Sequence, residues 1–366
     1  MMMKRNFLYS TILVAGVAMV SSCSKEKNTT PETIKPYTVP TTYDFTGADY
    51  TTSTQRVKMG VELNSYLGSA NNATITATKA GDYFNNTNAP FTDATLNTSG
   101  ITLASKTADA TVFTGYFTEQ ANNSTKNTVT ATNGSAGIVV SGTTKRLVSA
   151  TGLEYNQAVA KGMMGALFFK EAVNILNAVP NDDNTTVTNG TTAMQRHWDE
   201  AFGYLSVPKN YDTTKVYTAA DLDRPLLWGG YLAERGKGIQ AGGVIFGAFL
   251  KGRAAIGAKD YTVVKEQIAI IQDKWEQLAA AAALEYVTIP TRSVNVGNLA
   301  TQFHALSEGF GFISCFKYRA TRSKLSAADF QTLQSIIGTN FYTLINETNF
   351  TKLVQAQTIL KATYKL

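Results

Sequence analysis

His197-Trp198-Asp199-Glu200-Ala201-Phe202-Gly203-Tyr204-Leu205 holds one of the two histidines of the chain. The other lies in His304-Ala305-Leu306-Ser307-Glu308-Gly309-Phe310-Gly311-Phe312-Ile313. Aligned on their glutamates, both runs have Glu, a small residue, Phe-Gly, an aromatic and an aliphatic residue. In each, a histidine precedes the glutamate by about one helical turn, so imidazole and carboxyl project from one helix face. This recurrence is an internal repeat. Gly165-Ala166-Leu167-Phe168 is likewise echoed by Gly247-Ala248-Phe249-Leu250. The expected fold is therefore all-α. Two duplicated helical-bundle halves, about 43–205 and 221–366, lie side by side, with long loops and one small β-hairpin.

Around these runs the apolar spacing predicts further helices. Thr52–Leu67 and Ala108–Gln120 carry helical stripes, with a single turn at Asp82–Asn85 between them and a polar loop at Asn122–Ser135 after them. Ile138-Val139-Val140 and Arg146-Leu147-Val148, joined through a Ser-Gly turn, form the expected hairpin. From Glu154 the helices dominate: Glu154–Leu176, Ala193–Leu205, Arg224–Arg235, Ile239–Ile256, Tyr261–Tyr286 and Val294–Tyr318. Ser326 with Asp329 three residues on has the form of a capping box and opens another. Short connections make antiparallel bundles the natural arrangement. Trp198 and Trp275 lie on helices whose other face is polar, so both are expected between helices.

The chain begins with an address. Lys4 and Arg5 precede an apolar run from Phe7 to Val20, too short to span a bilayer and suited to a signal peptide. It ends in Val20-Ser21-Ser22-Cys23, which resembles the bacterial lipobox, in which residues 1–22 are removed and Cys23 is lipidated. The following Ser24-Lys25-Glu26-Lys27 resembles outer-membrane sorting. Residues 23–42, with Pro31, Pro36 and Pro40, are expected to form a flexible tether. The protein is thus expected to be an outer-membrane lipoprotein, periplasmic or surface-facing, whose membrane partner is reached through its N-terminal lipid.

Only 16% of the residues are charged, and of the formal charge of +6 the leader supplies Lys4 and Arg5. So mild a balance does not suggest a nucleic-acid partner. Cys315 is the one other cysteine; among Phe312, Ile313 and Phe316 it is expected to be a buried structural thiol.

The candidate site consists of His197, Glu200, His304 and Glu308. If the two halves face each other across a pseudo-twofold axis, these side chains converge and present donors suited to zinc or iron. The other reading is a hydrogen-bonded network that locks the halves in register. Glu154, Lys161, Lys170 and Glu171 are expected at the rim, Glu154 meeting the dipole of the helix it starts. Lys251, Arg253 and Arg224 are candidates to pair with carboxylates. No phosphate loop, dinucleotide fingerprint, nucleophile elbow or zincin motif is present, so no catalytic residue is assigned.

Several runs resemble a family of uncharacterised Bacteroidetes lipoproteins. They include Gly152-Leu153-Glu154-Tyr155-Asn156-Gln157, Lys161–Phe168, His197–Tyr204, Trp228-Gly229-Gly230-Tyr231, Lys251–Ile256 and Ser307–Phe312. That family is similar to the imelysins, envelope proteins of two duplicated helical bundles with a Gly-x-His-x-x-Glu motif. The resemblance covers most of 43–366 and implies an imelysin-like fold with His197 and Glu200 at the motif positions. Gln195 stands where the glycine belongs. Imelysins have been called metallopeptidases, and relatives belong to iron-uptake systems. Three readings follow: a non-catalytic binding protein for a metal ion or small envelope ligand, an imelysin-like metallopeptidase, and a structural or adhesion module. Because the lipid thioether forms only at the Cys23 sulfur, Cys23→Ala should leave the membrane fraction on cell fractionation, and retention there would refute the anchor.

Overall fold

Several helices start where a side chain accepts a first-turn amide, as Thr76, Asp93, Thr192, Asp260, Asn298, Ser326 and Asn340 do. The computed structural model describes residues 34–366; the leader, Cys23 and the first part of the tether lie outside them. Helix α1 (Thr51–Gly68) is followed by α2 (Ala77–Asn85), α3 (Ala94–Asn97) and α4 (Ala110–Ser124). Strands β1 (Gly137–Ser141) and β2 (Thr144–Val148) pair antiparallel from Gly137 opposite Val148 to Ser141 opposite Thr144. Helix α5 (Tyr155–Met163) runs through a π-helical stretch, Met164–Phe169, into α6 (Lys170–Ala178). Then come α7 (Ala193–Leu205), α8 (Trp228–Glu234), α9 (Ala241–Ala258), α10 (Tyr261–Thr288), α11 (Leu299–Cys315), α12 (Ala327–Ile337), α13 (Phe341–Ile345) and α14 (Thr351–Tyr364). The fold is all-α with one small hairpin. Among the described residues no helix is long and apolar enough to cross a membrane.

Several boundaries depart from expectation, each for a local reason. The single turn expected at Asp82–Asn85 is a nine-residue helix, Ala77–Asn85, because Thr76 accepts the amide of Lys79 and opens it ahead of Asp82. Helix α4 runs into the expected loop, where Gln120 donates to the Leu67 carbonyl and Ser124 accepts from the Ile75 amide. Residues 293–295 form only a 3₁₀ turn, and α11 begins after Asn298, whose side chain accepts from Thr301. Ser326 does cap Asp329 at 3.0 Å. The reciprocal capping box lies elsewhere: Thr192 Oγ1 accepts from Gln195 N at 3.3 Å, and Gln195 Oε1 accepts from Thr192 N at 2.9 Å. Gln195 therefore has a helix-starting role. The end of the tether is not loose, since Lys35 N donates to Ala258 O at 3.1 Å and Tyr37 to Asp260 at 3.2 Å.

Helix α10 lies at the centre, flanked by α9, α11 and α14, while α7 packs on α1, α6 and α9, and α11 on α5 and α10. Glycines set the closest of these contacts. A Cβ on Gly165 would stand 2.5 Å from Cys315 Cα, and one on Gly311 would overlap Lys161. Helices α5 and α11 thus meet backbone to backbone. Across this contact Cys315 is buried, and burial raises its thiol pKa. The π stretch frees carbonyls that find outside donors: Trp228 Nε1 reaches Met164 O at 2.8 Å and Ala108 N reaches Ala166 O at 2.9 Å.

Trp198 and Trp275 are both enclosed between helices. Trp198 donates to Phe249 O at 3.0 Å, and its ring fills the space left by Gly252. Truncating either tryptophan to alanine should cost about 3–5 kcal/mol in urea unfolding. Gly252→Ala should cost about 1–3 kcal/mol by overpacking against the indole. Losses well under 1 kcal/mol at all three positions would show that these faces are not core.

Candidate functional site

On α11, His304 and Glu308 lie one turn apart. On α5, Glu154 at the N-cap and Lys161 two turns on share a face. The close approach at Gly311 sets these faces against each other with opposite charges crossed. His304 Nδ1 lies 3.1 Å from Glu154 Oε1, and Lys161 Nζ lies 3.4 Å from Glu308 Oε1. His304 Nε2 also lies 3.5 Å from Glu308 Oε1. Only the doubly protonated ring donates to both carboxylates at once. Ser307 Oγ accepts from Glu154 N at 2.8 Å and donates to Phe303 O.

The network extends to other elements. Tyr231 on α8 donates to Glu308 Oε2 at 3.4 Å and lies 3.0 Å from the hydroxyl of Tyr286 on α10. Tyr286 donates to Glu234 and accepts from Arg235. The Lys161 ammonium sits 5.2 Å from the Tyr231 ring centroid. Burial alone would raise the Glu308 pKa, but Lys161 and His304 beside it hold it below its ordinary value of 4.5. Glu154 is fully buried; its Oε2 has Arg146 of β2 at 3.9 Å and no hydrogen bond.

The first repeat runs differently. His197 is exposed and its Nδ1 pairs with Asp182 at 2.7 Å. Glu200, half-buried, makes no hydrogen bond or ion pair among the described residues. The buried acid of this run is Asp199, which accepts from Tyr43 at 2.6 Å and from Arg253 Nε at 2.8 Å. Burial raises its pKa despite these partners. The expected pairing of Arg253 is thus found with Asp199, while Lys251 and Arg224 are exposed.

The structure therefore does not bring His197 and Glu200 together with His304 and Glu308. The two pairs have no partner in common, because α7 turns its enclosed face to α1 and α9 and leaves His197 outside. At His304 the carboxylates approach opposite nitrogens of the ring instead of one common centre. Among the described residues no group of three or more His, Cys, Asp or Glu side chains is arranged to hold a metal ion. His304 and Glu308 instead form a network with Glu154 and Lys161, not with the first repeat. Glu154 is also not a rim charge, and Glu171 is buried between Lys106 and Lys170. The i,i+7 spacing puts Glu154 and Lys161 on one helix face but does not say which helix that face meets. Nothing local marked Tyr231 or Tyr286.

Residues 40–340 match the profile of a domain of unknown function, DUF4856, and the chain belongs to that family. No curated protein and no solved structure matches it.

His304→Ala should cost about 1–3 kcal/mol by leaving buried acceptors unpaired, whereas His197→Ala should stay within about 0.5 kcal/mol. Equal losses would contradict the asymmetry. Because the folded-state pKa of Glu308 is depressed, its contribution is present above 4.5 and lost as pH falls below that value. The stability gap between wild type and Glu308→Gln should therefore narrow as pH is lowered from about 6 to about 3. A gap independent of pH would refute the charged pairing.

Proposed function

We propose that this protein is a non-catalytic binding protein of the outer membrane, held by lipid on Cys23, that takes a small envelope ligand. The observation that carries the reading is a cleft of about 300 Å³ between α10, the end of α14 and the loop before α12. A buried carboxyl, Glu276, lines it together with Ser323 and Tyr364, and such convergent polar groups in a concavity are what a small-ligand site requires. The His304 network supports the same reading from the other side. Its ring nitrogens are both taken up by carboxylates, so its groups serve the frame rather than a reacting substrate. Kinship with Bacteroidetes lipoproteins and with the imelysins belongs to this proposal; it rests on the runs at His197 and Ser307. The metallopeptidase alternative would need His197 and Glu200 to present donors to one ion, and the pairing of His197 with Asp182 does not favour it.

The test is native extraction. Full-length protein taken from its own membranes in mild detergent, then denatured, should release one small solute in near-stoichiometric amount by mass spectrometry, chemically unchanged after incubation. A protein that carries no small solute, or that hydrolyses added peptides, would overturn the proposal.

A further inference from the structure

We propose that the cleft at Glu276 is a site for a zwitterion of the α-amino-acid class, its ammonium on the Glu276 carboxylate and its carboxylate between Lys324 and Lys365. The inference rests on the small-ligand reading above and gives that ligand a chemistry.

The cationic end is argued from Glu276. The residue is 3% exposed, and two hydroxyls, those of Ser323 and Tyr364, donate to the same oxygen, Oε1, the latter at 2.7 Å. Among the described residues no hydrogen bond reaches Oε2, and Glu276 has no ion pair. Arg319 acts on it electrostatically without forming an ion pair with it; its guanidinium donates to Phe316 O and stacks on Phe330. Asp273, one turn earlier, is paired with Arg322 at 2.8 Å. The hydrogen bonds to this desolvated carboxyl come from neutral donors and no cation is in contact with it, and burial outweighs the hydroxyls and Arg319 and raises its pKa. The last turn of α14 ends at the same place, and its outward carbonyls add negative partial charge. An ammonium with three donors suits this end.

The anionic end is argued from two lysines. Lys324 and Lys365 both line the cleft and are exposed, and neither ammonium has a partner among the described residues. The third lysine there, Lys274, is occupied by Gln277 at 2.7 Å and Ile239 O at 3.2 Å. The cleft is therefore polarised, lined by one buried carboxylate without an ion pair and by two exposed ammoniums without one. A purely cationic ligand would leave the lysines facing only solvent, and a purely anionic one would lie against Glu276. Ile270 and the Tyr364 ring supply apolar wall for a side chain. Glu276, Ser323 and Lys324 lie inside the range matched to the family, and Tyr364 and Lys365 lie beyond it.

Calorimetric titration of the full-length protein in detergent tests this with three matched probes: L-leucine, 4-methylpentanoate, which lacks the amine, and 3-methylbutylamine, which lacks the carboxylate. Leucine should bind, and each truncated probe should bind at least ten-fold more weakly. Glu276→Gln should weaken leucine at least ten-fold and leave 4-methylpentanoate unchanged. Lys324→Ala with Lys365→Ala, at exposed positions that do not disturb folding, should weaken leucine and leave the amine unchanged. No leucine binding, equal binding of the amine alone, or leucine binding indifferent to both variants would overturn the assignment. Failure here with a different solute recovered from native membranes would leave the binding-protein reading standing, whereas the absence of any solute would remove both.

Discussion

A carboxylate withdrawn from water needs a cation or several donors, and Glu154 obtains them only because α11 comes against α5 at a glycine. The contact at Gly165 with Cys315, and at Gly311 with Lys161, brings two helix backbones together. Only at that spacing can Glu154 meet His304 while Lys161 meets Glu308. Apolar stripes alone would let α5 slide along α11 by a turn with little loss of burial. The crossed charges permit one register, since a shift would place Glu154 against Glu308 or Lys161 against His304. Such a buried network contributes less to net stability than to choosing one arrangement, because desolvation offsets much of the attraction. The register then fixes the rest. Trp228 can reach the π-helical carbonyl, and the two tyrosines can close on Glu308, only with α5 and α11 so placed.

The repeated Glu-x-Phe-Gly run now has a physical meaning narrower than its sequence suggests. Gly203 admits α1 at Tyr50 and Ser53, as Gly311 admits α5 at Lys161. Tyr204 and Phe312, each following its glycine, are both fully enclosed. What recurs is thus a device for close helix packing. The polar residues have parted ways. In the second run His304 and Glu308 face the neighbouring helix. In the first, Asp199 has taken the inward position and His197 looks out.

The helices were legible because their signals are local. Apolar spacing located nearly all of them, and the hairpin followed from two short runs, Ile138-Val139-Val140 and Arg146-Leu147-Val148, around a turn. Where boundaries slipped, a capping side chain such as Thr76 or Asn298 had decided them, and such a residue looks like any other threonine or asparagine until the fold places it. Half of the polar network was equally visible: His304 and Glu308 were singled out by spacing and by the scarcity of histidine. Their partners were not, because Glu154 and Lys161 belong to a helix some 150 positions away, and nothing in one sequence says which helix faces turn together. Matching the two histidine runs to each other was the natural step, and it failed because similarity of sequence implied similar packing without implying mutual contact. Glu276 gave no signal at all. Within the Tyr261–Thr288 helix it is one acidic residue among several, and its burial depends on α14, almost ninety residues later.

The contrast between Glu308 and Glu276 separates the frame of this molecule from its site. Both carboxyls sit on central helices and are almost excluded from water. Glu308 has an ammonium and an imidazole beside it, which outweigh its burial and hold its pKa low. Glu276 has two hydroxyls and only the non-contacting charge of Arg319, which do not outweigh its burial, and its pKa rises. An acid whose charge is compensated inside the fold has no electrostatic reason to seek a further partner. One whose charge is not compensated is held at a standing cost, and that cost is relieved by whatever brings a cation to the cleft. The two lysines at the rim are in the opposite condition, charged, solvated and unpaired. The fold thus closes its charge balance at α5 and α11 and leaves it open, with both signs exposed to one small volume, between α10 and α14.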